Sequence, residues 1–564
     1  MISEIKLSDI NSKYTPGQKQ KDLSFGGFQN TAHRYAQKAA EGGIKLVQQC
    51  EKHPMINVTV LDLATAIIPR TLVETFAVPK DTNPKKDENQ ENKRHKINLL
   101  AGMEAFRRES SGLIVNCLIP GYIVYGIASG LNKFVPALMK PFNKSNLAGN
   151  WADTNTIEKI THYYKNAQGA GDEKLFNAFK NLTYDISGID GKSEKAFNKI
   201  LTSEDDKIFE KLVKAVHDEH NGSKLSKEAF NIIAAKTHIT ENLKFKGENK
   251  FHSTNLESIY SNMVKFLRGV AKENITDASQ LETYAKKASK FVNWKSLGGL
   301  AVIIPLAISM QPINRWLTHK SAGQKGAPIY NGKEYKEPTK EEKAQLFKQK
   351  IISVGSMIGV GLLSMMKLPT LNMLQFKGKF PSMDQARIIS TATFASRMGA
   401  SEDPNDLREA TIRDIATFLS FYFLGDFAAK GIATYIEHKD PDAKLINTLQ
   451  PLKRNANPLE KFWHWTKHTA LKSTDELATV KDKRLRTICQ IGNLAFSLIA
   501  LGVFIPLYNR TVTNKKEQER KAKELANIKA GASTGAAAGS TLSSDIVKAS
   551  IKHNPAFRAI FNNS

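Results

Sequence analysis

Three stretches of this sequence run for about twenty residues without a charged side chain: Ser110–Asn132, Ser296–Asn314 and Thr487–Asn509. An apolar helix of that length crosses the hydrocarbon core of a bilayer, which is about 30 Å thick. A fourth run, Ile351–Met366, is shorter, but a lysine at each end has a stem long enough to reach an interface. The pattern predicts a mainly α, multi-pass membrane protein with about four spans. Buried core helices of a soluble protein are the alternative, although these usually show a polar stripe.

Two further apolar segments contain charges, which are costly at mid-span. Ile415–Ile436 includes Asp426 and Lys430, whose i, i+4 spacing allows them to pair as an intramembrane polar pair or to belong to an amphipathic surface helix. Val58–Val78 carries three charged residues and is interpreted as interfacial or packed on protein. If both segments cross as well, the number of spans rises to five or six.

The composition is too polar for a chain made mostly of membrane spans, so any spans must be combined with large soluble regions. With 564 residues, several units are expected. The 81 Lys and Arg outnumber the 55 Asp and Glu, which gives a formal net charge of +26. This charge favours anionic lipid head groups or nucleic acid as partners, but no nucleic-acid motif accompanies it. The three cysteines are widely separated and predict neither a disulfide framework nor a metal site.

An internal repeat links two of the runs. The pattern of Ser296–Leu306 recurs in register at Ser497–Leu507, with a proline at the same place in each copy. Each copy is followed by the same basic exit. The exit residues are Asn314 and Arg315 in the first copy, and Asn509 and Arg510 in the second. Because apolar segments resemble one another easily, the polar exits are the stronger sign of a duplication.

The charges of the loops predict an orientation, since Lys and Arg accumulate on the cytoplasmic side near span ends. Nine Lys and Arg face four acids from Arg315 to Lys350, and ten face four from Arg510 to Ser564. Both segments, and both termini, are therefore expected in the cytoplasm of a cell-membrane protein. Residues 133–295 and 372–486 are expected outside.

The predicted organisation divides the chain into eight parts. These are an N-terminal helical or interfacial region (1–79), a charged linker (80–96), a helix with the first span (97–132), a soluble helical domain without persistent strand alternation (133–295), the second and third spans with a basic loop (296–371), a helical region with the doubtful span (372–486), the last span (487–509) and a basic tail with a low-complexity tether (510–564).

Motifs with known chemistry are weak in this chain. Residues 190–193 lack the first glycine of a phosphate-binding loop, and the G-x-S-x-G match at 531–535 lies in the low-complexity tether. Two pairs of nearby histidines lack the rest of a zinc signature. No catalytic residue, cofactor or metal site is predicted. Two G-x-x-x-G pairs, Gly126 with Gly130 and Gly355 with Gly359, are interpreted as helix-packing positions.

The leading functional hypothesis is a membrane scaffold or interaction protein, whose partners are the lipid bilayer and other membrane proteins. A transporter or channel subunit that uses the repeated spans is the first alternative. A soluble, basic, helical nucleic-acid-binding protein is the second. An enzyme is not indicated, because no catalytic constellation is visible.

Overall fold

The computed structural model describes residues 41–50, 54–76, 99–134, 147–190, 193–240, 243–248, 254–322, 339–365, 370–448 and 455–509, with isolated residues between and beyond them. This part of the chain is mostly helical. It forms a bundle of long apolar helices and, at one end of the bundle, a helical domain with a small sheet.

The α-helices are numbered in chain order. They are α1 (Pro54–Asp62), α2 (Ile68–Phe76), α3 (Leu99–Leu113), α4 (Pro120–Phe134), α5 (Thr154–Asn166), α6 (Gly171–Tyr184), α7 (Asp206–His217), α8 (Gly222–Thr237), α9 (Leu256–Lys272), α10 (Ala278–Ala322), α11 (Lys340–Met365), α12 (Leu371–Leu374), α13 (Met383–Gly399), α14 (Pro404–Leu419), α15 (Gly425–Lys439), α16 (Pro458–His468) and α17 (Val480–Ser497). The strands are β1 (Ile186–Asp190), β2 (Ser193–Ala196), β3 (Lys244–Phe245), β4 (Ile446–Thr448) and β5 (Thr469–Leu471).

Four helical stretches are long and apolar enough to cross a membrane. They are Met55–Phe76, Ala278–Ser321, Lys340–Met365 and Val480–Asn509. Two bent pairs raise the number to six if each pair is one span. The expected four to six candidate spans are thus confirmed by length and composition. The segment Val58–Val78, interpreted as interfacial or packed on protein, lies largely within Met55–Phe76, which is long and apolar enough to span. Its Arg70 is buried against Glu109, so the helix also packs on protein.

The two bent pairs contain the run that begins at Ser110 and the doubtful segment that begins at Ile415. The first bends by 49° just before Pro120, where the proline ring and the missing amide hydrogen interrupt the helix. The second bends by 42° near Gly425. By contrast, α10 continues through Pro305 and Pro312.

Four segments of the bundle adopt the wider π-helical hydrogen-bond pattern. They are Leu63–Ile67, Ile114–Leu118, Ser420–Leu424 and Leu498–Phe504. Such turns are rare in proteins and frequently accompany functional sites. The two copies of the sequence repeat differ here, because the first copy is regular α-helix and the second is π-helical.

Contacts between side chains fix the direction of each helix. Arg70 lies against Glu109 and Thr75 against Gly102, so α2 and α3 are antiparallel. The same reasoning gives the directions of the other helices, and successive passes alternate in direction along the chain. The pairs used include Ser111 with Asn314, Val124 with Gly299, Ile308 with Ser396, Arg397 with Asp414, Ser390 with Tyr422, and Asn57 with Gln490. In the described part, seven helical passes therefore run through the bundle. One of the seven, α13, is shorter and more polar than the other six.

The helical domain has its own apolar core. Phe179, Phe209 and Phe266 are among its fully buried side chains, and α5 to α9 surround them. A three-stranded antiparallel sheet of order β2, β1, β3 lies beside the helices. The sequence did not suggest these strands, because two to five residues are too few to show alternation. Since β2 follows β1 at once, residues 190–193 join two strands and do not precede the helix of a phosphate-binding loop.

Helix α10 joins the two regions. Its first half, including Tyr284 and Phe291, belongs to the core of the helical domain, and its second half, including Leu300 and Ile303, belongs to the bundle. Forty-five residues at 1.5 Å each give a length of about 68 Å. A single continuous helix thus holds the domain on the bundle.

Polar contacts close the junction between the two regions. Thr154, at the start of α5, bonds to Asn372 and Gln375 in the segment before α13. The Asp153 carboxylate accepts a hydrogen bond from the Thr156 amide and lies 2.9 Å from Lys377 Nζ. Burial alone would raise the pKa of Asp153, but Lys377 and these hydrogen bonds hold it below its usual value.

Candidate functional site: a buried ion-pair cluster in the helix bundle

Four charged side chains from four helices meet inside the bundle. Arg70 of α2, Glu109 of α3, Arg397 of α13 and Asp414 of α14 are each at most 7 % exposed. We call these four residues the ion-pair cluster. The apolar sequence around each one places it on a long helix, and the burial of the neighbouring apolar residues brings the four helices together.

Glu109 and Asp414 are the two anionic centres of the cluster. Glu109 Oε2 lies 3.3 Å from Arg70 Nη1 and 3.6 Å from Arg397 Nη2. Asp414 Oδ1 lies 2.7 Å from Arg397 Nη1. Arg70 also donates a hydrogen bond of 2.8 Å to Thr417 Oγ1. Each guanidinium therefore bridges two helices, which is the arrangement that planar arginine groups favour.

Further charges surround the cluster. Arg108 lies 3.4 Å from both Glu104 and Glu109, and Arg413 Nε lies 3.3 Å from Asp414. Charges removed from water are costly unless they are paired, and removal of one partner leaves the other uncompensated. The surrounding pairs thus spread the charge of the cluster over further side chains.

Three polar atoms of the cluster are buried without a hydrogen-bond partner among the described residues. They are Arg70 Nε, Arg397 Nε and Asp414 Oδ2. Buried polar atoms are nearly always satisfied in proteins, by water if not by protein. Two donors and one acceptor therefore have capacity left for a small polar species, such as water.

The cluster lies near the end of the bundle that is remote from the helical domain. Glu104 and Glu109 are in the second and third turns of α3. At the same end, Arg107 donates to Thr318 Oγ1 (2.7 Å), and His319 Nε2 lies 2.7 Å from Glu402 Oε1. In a bundle that crosses a membrane, such a position lowers the cost of burying charge, because snorkelling and water penetration are easiest near an interface.

Lys430, one member of the predicted intramembrane polar pair, binds the end of another helix. Its ammonium group donates to the carbonyl oxygens of Trp465, Thr466 (3.3 Å) and Thr469 (2.9 Å), at the carboxyl end of α16. A cation is favourable there because the last carbonyls of a helix are unpaired. Asp426 belongs to α15, but its side chain lies outside the described residues, so the predicted pair stays a prediction.

The residues of the two repeat exits differ in their surroundings. Asn314 is buried and donates to Ser111 Oγ (2.7 Å), while Arg315 pairs with Asp406 at the start of α14. Asn509 is also buried, and its Oδ1 has no hydrogen-bond partner within the described chain. Arg510 lies outside the described residues. The first exit thus attaches α10 to α3 and α14.

Three of the four predicted helix-packing glycines have no close neighbour among the described residues. A Cβ atom built at Gly126, Gly355 or Gly359 would meet no heavy atom within 4 Å. Gly130 is half-buried. Close approaches occur instead at Gly121 and Gly299, where a Cβ would overlap the carbonyl oxygen of Lys379 and the side chain of Val124. Packing of the predicted glycines on another chain stays a prediction.

The histidine pairs have ordinary polar partners. His464 Nε2 lies 2.6 Å from the carbonyl oxygen of Gln450, and His217 Nε2 lies 2.7 Å from Asp172 Oδ1. Within the residues described, no group of three or more His, Cys, Asp or Glu side chains is placed to hold a metal ion. The three cysteines are free and buried.

Sequence reasoning missed the ion-pair cluster. Its members are up to 344 positions apart in the chain (Arg70 and Asp414), so no local spacing connects them. The sequence does contain one sign of the cluster, namely charged residues inside otherwise apolar helices. From the sequence alone, these charges were interpreted only as evidence against a membrane span. Ionisable residues in such helices are better taken as indications of a buried polar site.

The fold and the cluster define a helical protein with four to six helices able to cross a membrane and a buried charged centre. Comparison with protein-family models, with curated proteins and with solved structures finds no match.

Proposed function

We propose that this chain is an integral membrane protein that acts as a scaffold, holding its helical domain at a fixed position on one membrane surface. The observation that carries the membrane part is the pair of exposed tryptophans on α10. Trp294 and Trp316 are 57 % and 59 % exposed. They are 22 residues apart, which corresponds to about 33 Å along a helix.

That spacing matches the thickness of a bilayer core, and tryptophan is enriched at both membrane interfaces. Between the two tryptophans, α10 exposes only apolar large side chains, including Leu297, Val302 and Ile308. The π-helical segment Leu498–Phe504 after α17 and the exposed face of α11 are similarly apolar, with Phe504 at 69 % and Leu363 at 77 % exposure. Such continuous apolar surface is suited to lipid and unsuited to water.

The seven alternating passes give a definite orientation. They put Phe76, Ala322 and Asn509, the described residues next to the basic segments 77–98, 323–338 and 510–564, on the side remote from the helical domain, which the loop charges assign to the cytoplasm. The helical domain is then outside, as expected from the sequence. Residues 41–50 come to the outer side, however, because an odd number of passes separates them from Asn509. This proposal changes the expected position of the N-terminal region.

The scaffold role follows from how the two regions are joined. Helix α10 is part of both cores, and Asp153, Thr154 and Lys377 add polar contacts at the junction. The ion-pair cluster connects four helices and so favours one arrangement of the bundle, as buried polar groups do in some proteins. Both features support a rigid body over a mobile one.

Cysteine labelling with a membrane-impermeant reagent in intact cells tests the orientation. Lys45→Cys and Glu210→Cys should react, whereas Glu341→Cys and Lys515→Cys should not. All four positions are exposed, and the three native cysteines are buried, so the wild-type chain is the background control. An unreactive Lys45→Cys beside a reactive Glu210→Cys would contradict the seven-pass arrangement. Equal reactivity at all four sites, or release of the protein by carbonate, would contradict membrane insertion.

Hydrogen exchange tests the rigid connection. The amides of residues 293–299, where α10 passes from the domain to the bundle, should exchange as slowly as those of the domain core around Phe266. Gly298 and Gly299 lower the helix propensity of this segment, so exchange there is informative. Fast exchange confined to this segment would show a hinge and would contradict the scaffold proposal.

A transporter or channel subunit is the second candidate, because two observations favour it. The unpartnered atoms of the ion-pair cluster can bind a small polar species, and four π-helical turns occur in the same bundle. Flux of ions or protons in reconstituted vesicles tests it. Flux that disappears in Arg397→Lys, a variant that keeps the charge but loses the planar fork, would favour transport over the scaffold.

A further inference from the structure

A basic cavity lies where the helical domain meets the bundle. Its volume is about 510 Å³, and four cations line it: Lys265, Arg268, Lys272 and Lys379. One carboxylate, Glu219, also lines it. Four cations against one carboxylate leave an excess of three positive charges. A concave site with uncompensated charge is suited to an anion.

The four cations differ in how many of their hydrogen bonds and ion pairs are already formed within the protein. Arg268 donates to the carbonyl oxygens of Ala215 (2.5 Å), Val216 (2.9 Å) and Asp218 (2.8 Å), at the carboxyl end of α7. Lys272 pairs with Glu219 at 2.7 Å. Lys379 is exposed and has no ion pair within the described part of the chain. Lys379 and, after displacement of Glu219, Lys272 are therefore available to a ligand.

Lys265 shows that the positive charges are not neutralised. Its ammonium group donates a hydrogen bond of 3.1 Å to the carbonyl oxygen of Gly149. Burial lowers the pKa of Lys265, and the charges of Arg268 and Lys379 lower it further. A bound anion would reverse this effect, because an opposite charge stabilises the ammonium form.

Aromatic side chains make part of the cavity wall apolar. Tyr122 and Tyr125 of α4 line it and are 54 % and 40 % exposed, and Trp151 forms part of the wall. The contact of Val124 with Gly299 puts these tyrosines on the membrane side of Trp294, within about two helical turns. If the proposed membrane position is correct, the cavity opens at the depth of the lipid head groups.

The backbone around the cavity is fixed by a close approach. Gly121 lies directly against the carbonyl oxygen of Lys379, where any Cβ would overlap it. This contact holds the segment that carries Lys379 beside α4. The backbone segments that carry the cations, α9 and the segment before α13, are therefore already in place around the cavity, which reduces the cost of binding.

We infer that the basic cavity binds a phosphate-bearing anion, and that an anionic lipid head group is the source that best fits its position. Phosphate oxygens accept hydrogen bonds from several lysines at once, and basic pockets beside membrane helices recognise anionic lipids. The tyrosines at the mouth would contact the glycerol and upper acyl carbons. A free phosphate compound has the same recognition chemistry and is the other source.

The test uses the full chain in a neutral detergent. The probes are short-chain phosphatidylglycerol, short-chain phosphatidylcholine and inorganic phosphate, and binding is followed by tryptophan fluorescence and by native mass spectrometry. We expect phosphatidylglycerol to bind and phosphatidylcholine not to bind. If inorganic phosphate binds as tightly as phosphatidylglycerol, with the same dependence on the variants below, the source is a free phosphate compound.

Four variants make the assignment specific. Lys379→Gln should weaken binding about tenfold, as expected for loss of one charged hydrogen bond, and Lys272→Gln should also weaken it. Glu219→Gln should tighten binding roughly threefold, because it releases Lys272. Lys287→Gln, an exposed lysine of α10 that does not line the cavity, is the matched control and should change nothing.

Several results would overturn the inference. These are binding of neither anion, equal binding of phosphatidylcholine, or equal effects of Lys379→Gln and Lys287→Gln. The opposite expected effects of Lys379→Gln and Glu219→Gln exclude general destabilisation as an explanation. Because the assay needs no bilayer, its failure is distinct from failure of the membrane proposal, which the labelling experiment tests.

Discussion

The helical domain and the bundle distribute their charges in opposite ways. In the domain, the fully buried side chains are mainly apolar, and pairs such as Lys165 with Glu282 are at the surface, 44 % and 47 % exposed. In the bundle, Arg397 and Asp414 are 6 % and 0 % exposed, while Leu363 and Phe504 face outwards. The same polypeptide thus keeps charged pairs at the surface in one region and buries them in the other, where the surface is apolar. With the bundle in a bilayer, as proposed, the surrounding medium, and not a local motif, decides which groups are inside.

The largest expected effect is the loss of one member of the ion-pair cluster. Asp414→Ala should destabilise the bundle by about 3–5 kcal/mol, because Arg397 and Arg413 lose their shared carboxylate. Thermal or denaturant unfolding of the purified chain in detergent measures this. The double variant Arg397→Met with Asp414→Leu should recover most of the loss. A double variant as unstable as Asp414→Ala would show that the pair contributes more than charge balance.

A charge on the outer apolar face should cost somewhat less. Leu363→Arg is expected to lower stability in a bilayer by about 2–3 kcal/mol, since arginine is poorly tolerated in contact with lipid. Ile232→Arg, on a partly exposed position of α8 in the helical domain, should be nearly neutral. Membrane-inserted yield and unfolding in lipid nanodiscs report both. If the two variants behaved alike, the contrast between the regions would fail.

The junction should show a smaller, pH-dependent effect. Lys377→Met removes the partner of Asp153 and should cost about 1 kcal/mol near neutral pH. The folded pKa of Asp153 is lowered, so its contribution is present above the ordinary value of about 3.9 and disappears as the pH falls below it. The difference in melting temperature between wild type and variant should therefore shrink in acid. A difference that grows in acid would contradict this sign.

The smallest expected effect is at the surface of the domain. Lys165→Ala with Glu282→Ala should change stability by less than about 1 kcal/mol, because both charges are solvated in the unfolded and folded states. Chemical denaturation of the full chain measures it. A loss comparable to that of Asp414→Ala would remove the distinction between buried and exposed pairs.

The sequence predicted the helical class and most of the candidate spans, because uncharged runs and helix periodicity are local properties. The predicted charged linker (80–96) and most of the basic loop and basic tail lie outside the described residues, so they stay predictions. Three features could not be predicted in this way. The pairing of Arg70 with Glu109 and of Arg397 with Asp414 depends on how distant helices pack. The strands β1 to β5 are too short to show a pattern. Helix α13, the fifth pass in chain order, is too polar to be recognised as one.

Lys430 shows the same limit. Its spacing from Asp426 suits one helical face, and that pair stays a prediction because the Asp426 side chain lies outside the described residues. The spacing gives no sign that Lys430 binds carbonyl groups at the carboxyl end of α16, 35 to 39 positions away. Local spacing identifies which side chains share a face of a helix. It does not identify the element that packs against that face.

The continuous α10 also has a mechanical consequence. A rod of about 68 Å that is fixed in two cores converts a small change of angle at one end into a large displacement at the other. A tilt of about 10° about the end of α10 that is remote from the helical domain would move its other end by roughly 12 Å. The thickness or curvature of the surrounding bilayer would thereby set the distance at which the domain meets whatever lies beyond the membrane surface.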